Sequence, residues 1–113
     1  MAYIGLMNVA EIADYQNDRI QLTQEGWEHI QKRHPEITIE AIESALKSPD
    51  EVRKSTHTGN SKCQKLVYYK AQLAEGRFTE VVVKFCEDGN FISTALTTSA
   101  MKLGEQVFKK GDT

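Results

Sequence analysis

The residues of this sequence that are best suited to chemistry lie together in the segment WEHIQKRHPEI, residues 27–37. Histidine changes its charge near neutral pH, so His29 and His34 can accept or donate protons, and the guanidinium of Arg33 can bind an anion. A single histidine on a small helix is more often a surface residue than a functional one. Because two histidines and an arginine lie at one helix end, a functional role and a structural role are about equally favoured for them.

The spacing of these side chains is not typical of a metal site. His29 and His34 are five positions apart, which places them well round the helix from each other. Neither Cys63 nor Cys86 lies near them in the sequence, and the chain has no glycine-rich phosphate loop. We therefore expect no bound metal and no cofactor.

The first and last residues of the helix that carries these side chains can be predicted from the sequence. Thr23 is the predicted N-cap, because a threonine hydroxyl can accept a hydrogen bond from a free N–H of the first turn. Pro35 disfavours helical geometry at the residue before it, so the helix should end at His34. Trp27 and Ile30 share one stripe and should face the core. The two histidines and the arginine are then expected at the edge of the core.

A second helix and several strands follow. Thr38 is the predicted N-cap of the second helix. An apolar stripe at helical spacing should enter the core, and it consists of Ile39, Ile42, Ala45 and Leu46. From about residue 50 the apolar period changes to two, which is typical of strands. We expect strands at residues 19–22, around Val52, at Lys65–Lys70, at Phe78–Cys86 and at Phe91–Ser99, with a short edge piece near the C-terminus.

These elements predict an α+β fold. Two consecutive helices would pack on one face of a roughly four-stranded antiparallel sheet, with Phe78–Cys86 as a central strand. Residues 1–18 are expected to form an N-terminal helical lead-in, with Val9, Ile12 and Ala13 on one face.

A further candidate, Lys84, lies in the predicted hairpin of the last two long strands. Asp88 and Gly89 lie between two alternating runs, which is a strong hairpin signal. A two-residue turn there would place Val83 opposite Thr94. The face toward the helices would then carry Val81, Val83, Phe85, Ile92, Thr94 and Leu96. The other face would carry Val82, Lys84, Cys86, Phe91, Ser93, Ala95 and Thr97. On that face Lys84 either meets a substrate or extends its amine into solvent.

Composition limits the classes of function. The chain has 113 residues, 40% of them hydrophobic and 27% charged, which argues for one domain over residues 1–113. No apolar run approaches the roughly 20 residues that a membrane span needs, and the N-terminus does not read as a secretory signal. Two cysteines suggest no disulfide framework, so we expect a cytoplasmic location with reduced thiols. Because the net charge is −2, nucleic-acid binding would need a local basic patch.

Several motifs resemble the small phage- and toxin-associated nuclease domains of the barnase–EndoU–colicin–RelE superfamily. They are LTQEGWEHIQKRHPEI, IESALKSPDEV, LVYYK, VVVKF and FISTALTT, and they cover roughly residues 19–108. The resemblance implies helices on one face of a curved antiparallel sheet and metal-independent RNA cleavage on the opposite face. It also implies a catalytic set composed of His29, Arg33, His34, Lys84 and Thr94. Leu96 departs from the pattern, because those families often carry tyrosine there.

Metal-free RNA cleavage needs a base for the 2′-hydroxyl, an acid for the leaving oxygen and cations for the developing charge. Histidine suits either proton role, and Arg33 or Lys84 suits the charge. In the predicted register, however, Thr94 faces the helices and Lys84 does not. The five residues can form one site only if a β-bulge shifts that register.

Three functions stay open from the sequence. The first is a metal-independent ribonuclease-like domain, a toxin or phage-derived module, with RNA as substrate and an antitoxin-like partner. The second is a non-catalytic descendant of the same fold that binds a protein or a nucleic acid. The third is a homodimeric interaction domain, whose apolar surface would be formed by Val82, Cys86, Phe91 and Ala95.

Overall fold

The structure is a computed structural model that describes residues 8–55, 63–74, 76–100 and 104–111. Its two helices are α1 (Gln24–Arg33) and α2 (Ile39–Lys47). The strands are β1 (Asn8–Ala13), β2 (Arg19–Thr23), β3 (Glu51–Lys54), β4 (Cys63–Ala74), β5 (Arg77–Cys86), β6 (Gly89–Thr98) and β7 (Glu105–Lys109). The polar segment THTGNSK, residues 56–62, lies outside the described residues.

All seven strands form one mixed sheet in the order β1-β2-β6-β5-β4-β3-β7. The neighbours pair antiparallel, except that β2 runs parallel to β6. The predicted roughly four-stranded antiparallel sheet with a helical lead-in is therefore wrong. Its central strand was identified correctly, since β5 stands fourth of the seven.

The lead-in is the largest local error. Residues 8–13 form β1, which pairs with β2 through a hairpin, and residues 1–7 lie outside the described part. The segment NVAEIA fits a helical stripe and an alternating strand equally well, because six residues are too few to separate the two periods. Pairing with β2 selects the strand conformation for this segment. Ile12 then enters the core while Glu11 stays exposed.

Both helices begin and end where the sequence predicted. The Thr23 hydroxyl accepts a hydrogen bond from the Gly26 N–H at 3.0 Å, and the Thr38 hydroxyl accepts one from the Ala41 N–H at 3.1 Å. These bonds satisfy free N–H groups of each first turn. α1 ends at Arg33, with His34 as its C-cap.

The core lies between the helices and one face of the sheet. α1 packs on β1, β2 and β6, and α2 packs on β1, β4 and β5. The fully buried side chains between these layers include Ile20, Leu22, Ile30, Ile42, Leu46, Tyr69, Val81 and Val83. Burying an aliphatic side chain of this size contributes about 1.5–3 kcal/mol, so this layer supplies the main stabilisation of the fold.

A β-bulge in β6 changes the predicted hairpin register. Val83 pairs with Ile92 and Val82 pairs with Thr94, so Ser93 is an extra residue in β6. The two-residue loop is Glu87-Asp88, and not Asp88-Gly89 as predicted. After the bulge, the side chains of residues 94–98 point to the opposite face of the sheet from the one predicted.

The corrected register changes the composition of the predicted dimer surface. Ala95 is fully buried in the core beside the helices, and Val82 is 5% exposed. Thr94 and Leu96 turn to the face away from the helices, opposite Val82 and Glu80. Ala95 and Val82 therefore add little to the surface proposed for homodimerisation, whereas Cys86 and Phe91 stay half-buried. The homodimer function itself stays a prediction.

Cys86 is disulfide-bonded, so the expectation of reduced thiols is wrong. Its register partner in β4 is Cys63. The two cysteines are distant in sequence, and only the β4–β5 pairing brings their backbones side by side.

Neither helix in the described ranges is long and apolar enough to cross a bilayer.

Candidate functional site

A polar cleft of about 380 Å³ lies between the start of α1 and the β5–β6 hairpin. The side chains in it that can take part in chemistry are Thr23, Glu25, His29, Lys84 and Ser93, and Phe91 adds an aromatic wall. An imidazole, a carboxylate and an amine therefore open into one space. This combination can transfer protons and bind a negative charge.

The helix wall of the cleft is positioned by the cap of α1. β2 pairs with β6 at Gln21 and Phe91, and the chain turns into α1 directly after Thr23. Gly26 allows this close approach, because a Cβ there would lie 3.4 Å from the Ile92 carbonyl oxygen and 3.2 Å from the Thr23 hydroxyl. The first turns of α1 thus lie against the edge of β6.

The strand wall is positioned by the bulge. Bulges change the local twist of a strand and redirect its side chains. Ser93 is the bulged residue and faces the cleft together with Phe91. Lys84 pairs with Phe91 across the β5–β6 ladder, so its side chain enters the cleft from β5.

His29 and Lys84 were predicted on opposite sides of the sheet, yet both line this cleft. The cleft lies beside β6 where β2 turns away into α1, so it is open to both layers. Both side chains are exposed to solvent. Of the five sequence-predicted residues, these two are the pair that the structure brings together.

The other three predicted residues lie outside the lining of this cleft. Arg33 is exposed in the last turn of α1, one turn beyond His29 on the same stripe. His34 is the C-cap residue, and its Nδ1 lies 3.9 Å from the Glu36 carboxylate. Thr94 lies three residues past Phe91, beyond the bulge, and pairs with Val82. Arg33 can extend toward a long ligand, whereas His34 makes a local contact at the helix end.

Glu25 is the functional candidate that the sequence reasoning missed. It lies four residues before His29 on α1, so the two side chains share a helix face. Both line the cleft. The signal was present in the sequence as an acid–histidine pair at i,i+4 in the first turns of the predicted helix.

A second charged cluster lies on the sheet face away from the helices. Glu51 is 5% exposed and receives a 2.7 Å hydrogen bond from Arg53 Nε. The Lys70 amine lies 3.1 Å from its other carboxylate oxygen and 4.3 Å from the centre of the Phe78 ring. Burial raises the pKa of Glu51, but the hydrogen bonds and charges of Arg53 and Lys70 outweigh burial and hold that pKa below its ordinary value. Both oxygens are occupied, so the cluster stabilises the sheet.

No part of the described ranges brings together three or more histidine, cysteine, aspartate or glutamate side chains as metal ligands. No family model, curated protein or solved structure gives a significant match to this chain. The resemblance to the ribonuclease superfamily thus stays a prediction that rests on the motifs quoted above.

Proposed function

We propose that this domain cleaves RNA without a metal ion, in the cleft between α1 and β6. The observation that supports the proposal most is that His29 and Lys84, from different layers of the fold, line the same polar cleft. With Glu25 they supply a base, an acid and a cation, which are the three groups that metal-free phosphodiester cleavage requires.

The proposed reaction is an internal transfer at phosphorus. The Glu25 carboxylate takes the proton of the ribose 2′-hydroxyl, and the 2′-oxygen forms a bond to phosphorus. The bond from phosphorus to the 5′-oxygen breaks, and protonated His29 donates a proton to that oxygen. The products are a 2′,3′-cyclic phosphate and a free 5′-hydroxyl. Lys84 stabilises the negative charge that grows on the phosphoryl oxygens.

Substrate length and affinity follow from the surrounding charges. Arg33 lies one helical turn beyond His29 and can contact the next phosphate along a strand. Phe91 provides an aromatic wall on which a base can stack. Because the net charge is −2, binding should depend on this local patch and weaken steeply with salt.

The test is cleavage of a fluorescent RNA in EDTA by wild type and three variants. His29→Ala should lower the rate by about 10²–10⁴-fold, since general acid–base catalysis contributes that much. Lys84→Met should lower it while keeping the apolar stem of the side chain. His34→Ala is the matched control, a histidine at the end of the same helix but outside the cleft, and it should stay close to wild type.

Two further controls make the result interpretable. An RNA with a single 2′-deoxy sugar at the cleavage position should resist cleavage, because the attacking oxygen is absent. Thermal melts of each variant show whether a lost rate reflects lost folding. Equal cleavage by wild type and His29→Ala, or an inactive wild type, contradicts the proposal.

The second candidate function is RNA binding without cleavage. Leu96, which stands where the resembling families often carry tyrosine, lies half-buried on the face away from the helices, opposite Glu80. A hydroxyl is therefore missing from that position. Binding of the 2′-deoxy RNA by wild type, weakened by Lys84→Met and with no cleavage of the ribose form, would favour this function.

We retain a cytoplasmic location and an antitoxin-like partner as parts of the proposal. Disulfide bonds are uncommon in cytosolic proteins, so the disulfide-bonded Cys86 counts against the location. Fractionation of cells that produce the tagged protein tests it directly.

A further inference from the structure

We propose a second binding site, separate from the cleft and beyond the proposed function, that takes a nucleoside monophosphate. It is a cavity of about 190 Å³ between the β1–β2 turn and the helix-side face of β3, β4 and β5. Its lining combines aromatic rings, two lysines and one aspartate.

The two lysines are placed to bind one anion together. Lys54 in β3 pairs with Val67 in β4, and Lys65 lies two residues before Val67 on the same face. Such diagonal neighbours lie about 7–8 Å apart, with their Cβ atoms somewhat closer, a span that two lysine stems readily close around one anion. Within the described part of the chain, neither amine makes an ion pair.

The rings form an apolar wall with fixed orientation. Tyr15 meets Tyr69 edge to face, with ring centres 6.2 Å apart, and lies 4.8 Å from the Phe108 ring centre. The Tyr69 hydroxyl is held by a 2.7 Å hydrogen bond to Asp14, so this ring cannot turn away. The half-buried Tyr15 and Phe85 offer the ring surface against which a planar base can pack, while Phe108 and the fully buried Tyr69 hold Tyr15 in place.

A neighbouring cavity extends the site. It also measures about 190 Å³ and shares Lys65 and Phe85 with the first cavity. The Lys65 amine lies 4.9 Å from the centre of the Phe85 ring, above its face. Lys65 can therefore contact an anion from either cavity, and a ligand longer than one cavity can pass beneath it.

The lining selects the ligand class. The aromatic wall fits a nucleobase, the lysine pair fits a phosphate, and Asp18 can accept hydrogen bonds from an amino or imino group of the base. Pockets for drug-sized ligands measure about 300–1,000 Å³. One cavity of about 190 Å³ therefore holds the base, while the phosphate lies at the mouth between Lys54 and Lys65.

The test is an NMR titration of the isotope-labelled full chain with AMP, GMP, CMP and UMP, and with inorganic phosphate and adenosine separately. We expect at least one nucleotide to shift the resonances of Tyr15 and Tyr69 at millimolar concentration. Inorganic phosphate and adenosine should each bind more weakly than that nucleotide, because each supplies one half of the contacts.

Variants separate this site from other positive surfaces. Lys65→Met should weaken nucleotide binding by about tenfold, and so should Lys54→Met. Lys65→Arg keeps the charge and should retain binding, which protects the test against a variant that simply unfolds. Lys47→Met, an exposed lysine on α2, is the matched control and should bind like wild type.

The result is independent of RNA cleavage, since His29→Ala should bind nucleotide normally. Three outcomes overturn the proposal. They are no shift with any nucleotide, equal affinity for inorganic phosphate and nucleotides, and unchanged binding by both lysine-to-methionine variants.

Discussion

The Tyr69 hydroxyl in β4 donates a 2.7 Å hydrogen bond to Asp14 Oδ2 in the turn between β1 and β2. Asp14 Oδ1 accepts two more hydrogen bonds, from the backbone N–H groups of Gln16 and Asp18, at 2.9 and 2.8 Å. Burial and the hydrogen bond to Asp14 raise the pKa of Tyr69, so the phenol stays protonated and continues to donate. One buried carboxylate therefore shapes the first turn and attaches it to the centre of the sheet.

Tyr69→Phe should lower the free energy of unfolding by about 1.5–3 kcal/mol, because it leaves one oxygen of a buried carboxylate without its donor. Urea unfolding followed by circular dichroism measures the loss. Tyr68→Phe is the matched control, since the Tyr68 hydroxyl makes no hydrogen bond with the described residues. An equal loss in the two variants would contradict the role given to Asp14.

Glu51 predicts a specific dependence of stability on pH. Its pKa is held below the ordinary value in the folded state, where Arg53 and Lys70 contact the carboxylate. The stabilisation is thus fully present above the unfolded-state pKa, which is about 4.3 for glutamate. It is lost as the pH falls through the lower folded-state pKa.

Glu51→Gln should destabilise the protein by about 1.5–3 kcal/mol at pH 7, since it removes charge-assisted hydrogen bonds. The difference between wild type and variant should shrink as the pH falls from 6 toward 3. Glu43→Gln is the control, because the exposed Glu43–Lys47 pair on α2 contributes little. A difference for Glu51→Gln that is constant over this pH range would show that its ion pairs are not the cause.

Deletion of Ser93 should leave the protein folded. Ser93 is the extra residue of the bulge. Without it, Ile92 and Thr94 become neighbours in β6 and still pair with Val83 and Val82, so each side chain stays on the face of the sheet that it occupies now. We expect the melting temperature to change by less than about 8 °C, the effect of roughly 1 kcal/mol in a small domain. RNA cleavage should fall strongly, because the redirected strand wall of the cleft is lost.

The matched control is deletion of Val82 in the central strand. That deletion shifts one half of β5 by one residue, so the side chains of that half turn to the opposite face of the sheet and core side chains become exposed. Calorimetry should show no cooperative transition for this variant. Similar melting of the two deletion variants would contradict the assigned register.

The two helices and most of the strands follow from local patterns in the sequence. Thr23 and Thr38 cap the helices through their hydroxyls, and prolines stop each helix shortly after its last turn. These are local effects, in which a residue acts on neighbours only a few positions away. Strand β5 could be predicted equally well from the sequence, because its run of β-branched residues is long and strongly patterned.

The conformation of the first strand, the direction of the β6 side chains and the composition of the cleft depend on contacts between distant parts of the chain. Residues 8–13 carry too short a pattern to fix their own state, and pairing with β2 selects the strand. The bulge at Ser93 depends on the register between β6 and β5 and on the packing of α1 against β6. No local sequence pattern encodes either of these. His29 and Lys84 line the same cleft because β2 turns into α1 beside β6, and this is a consequence of packing between layers that are distant in sequence.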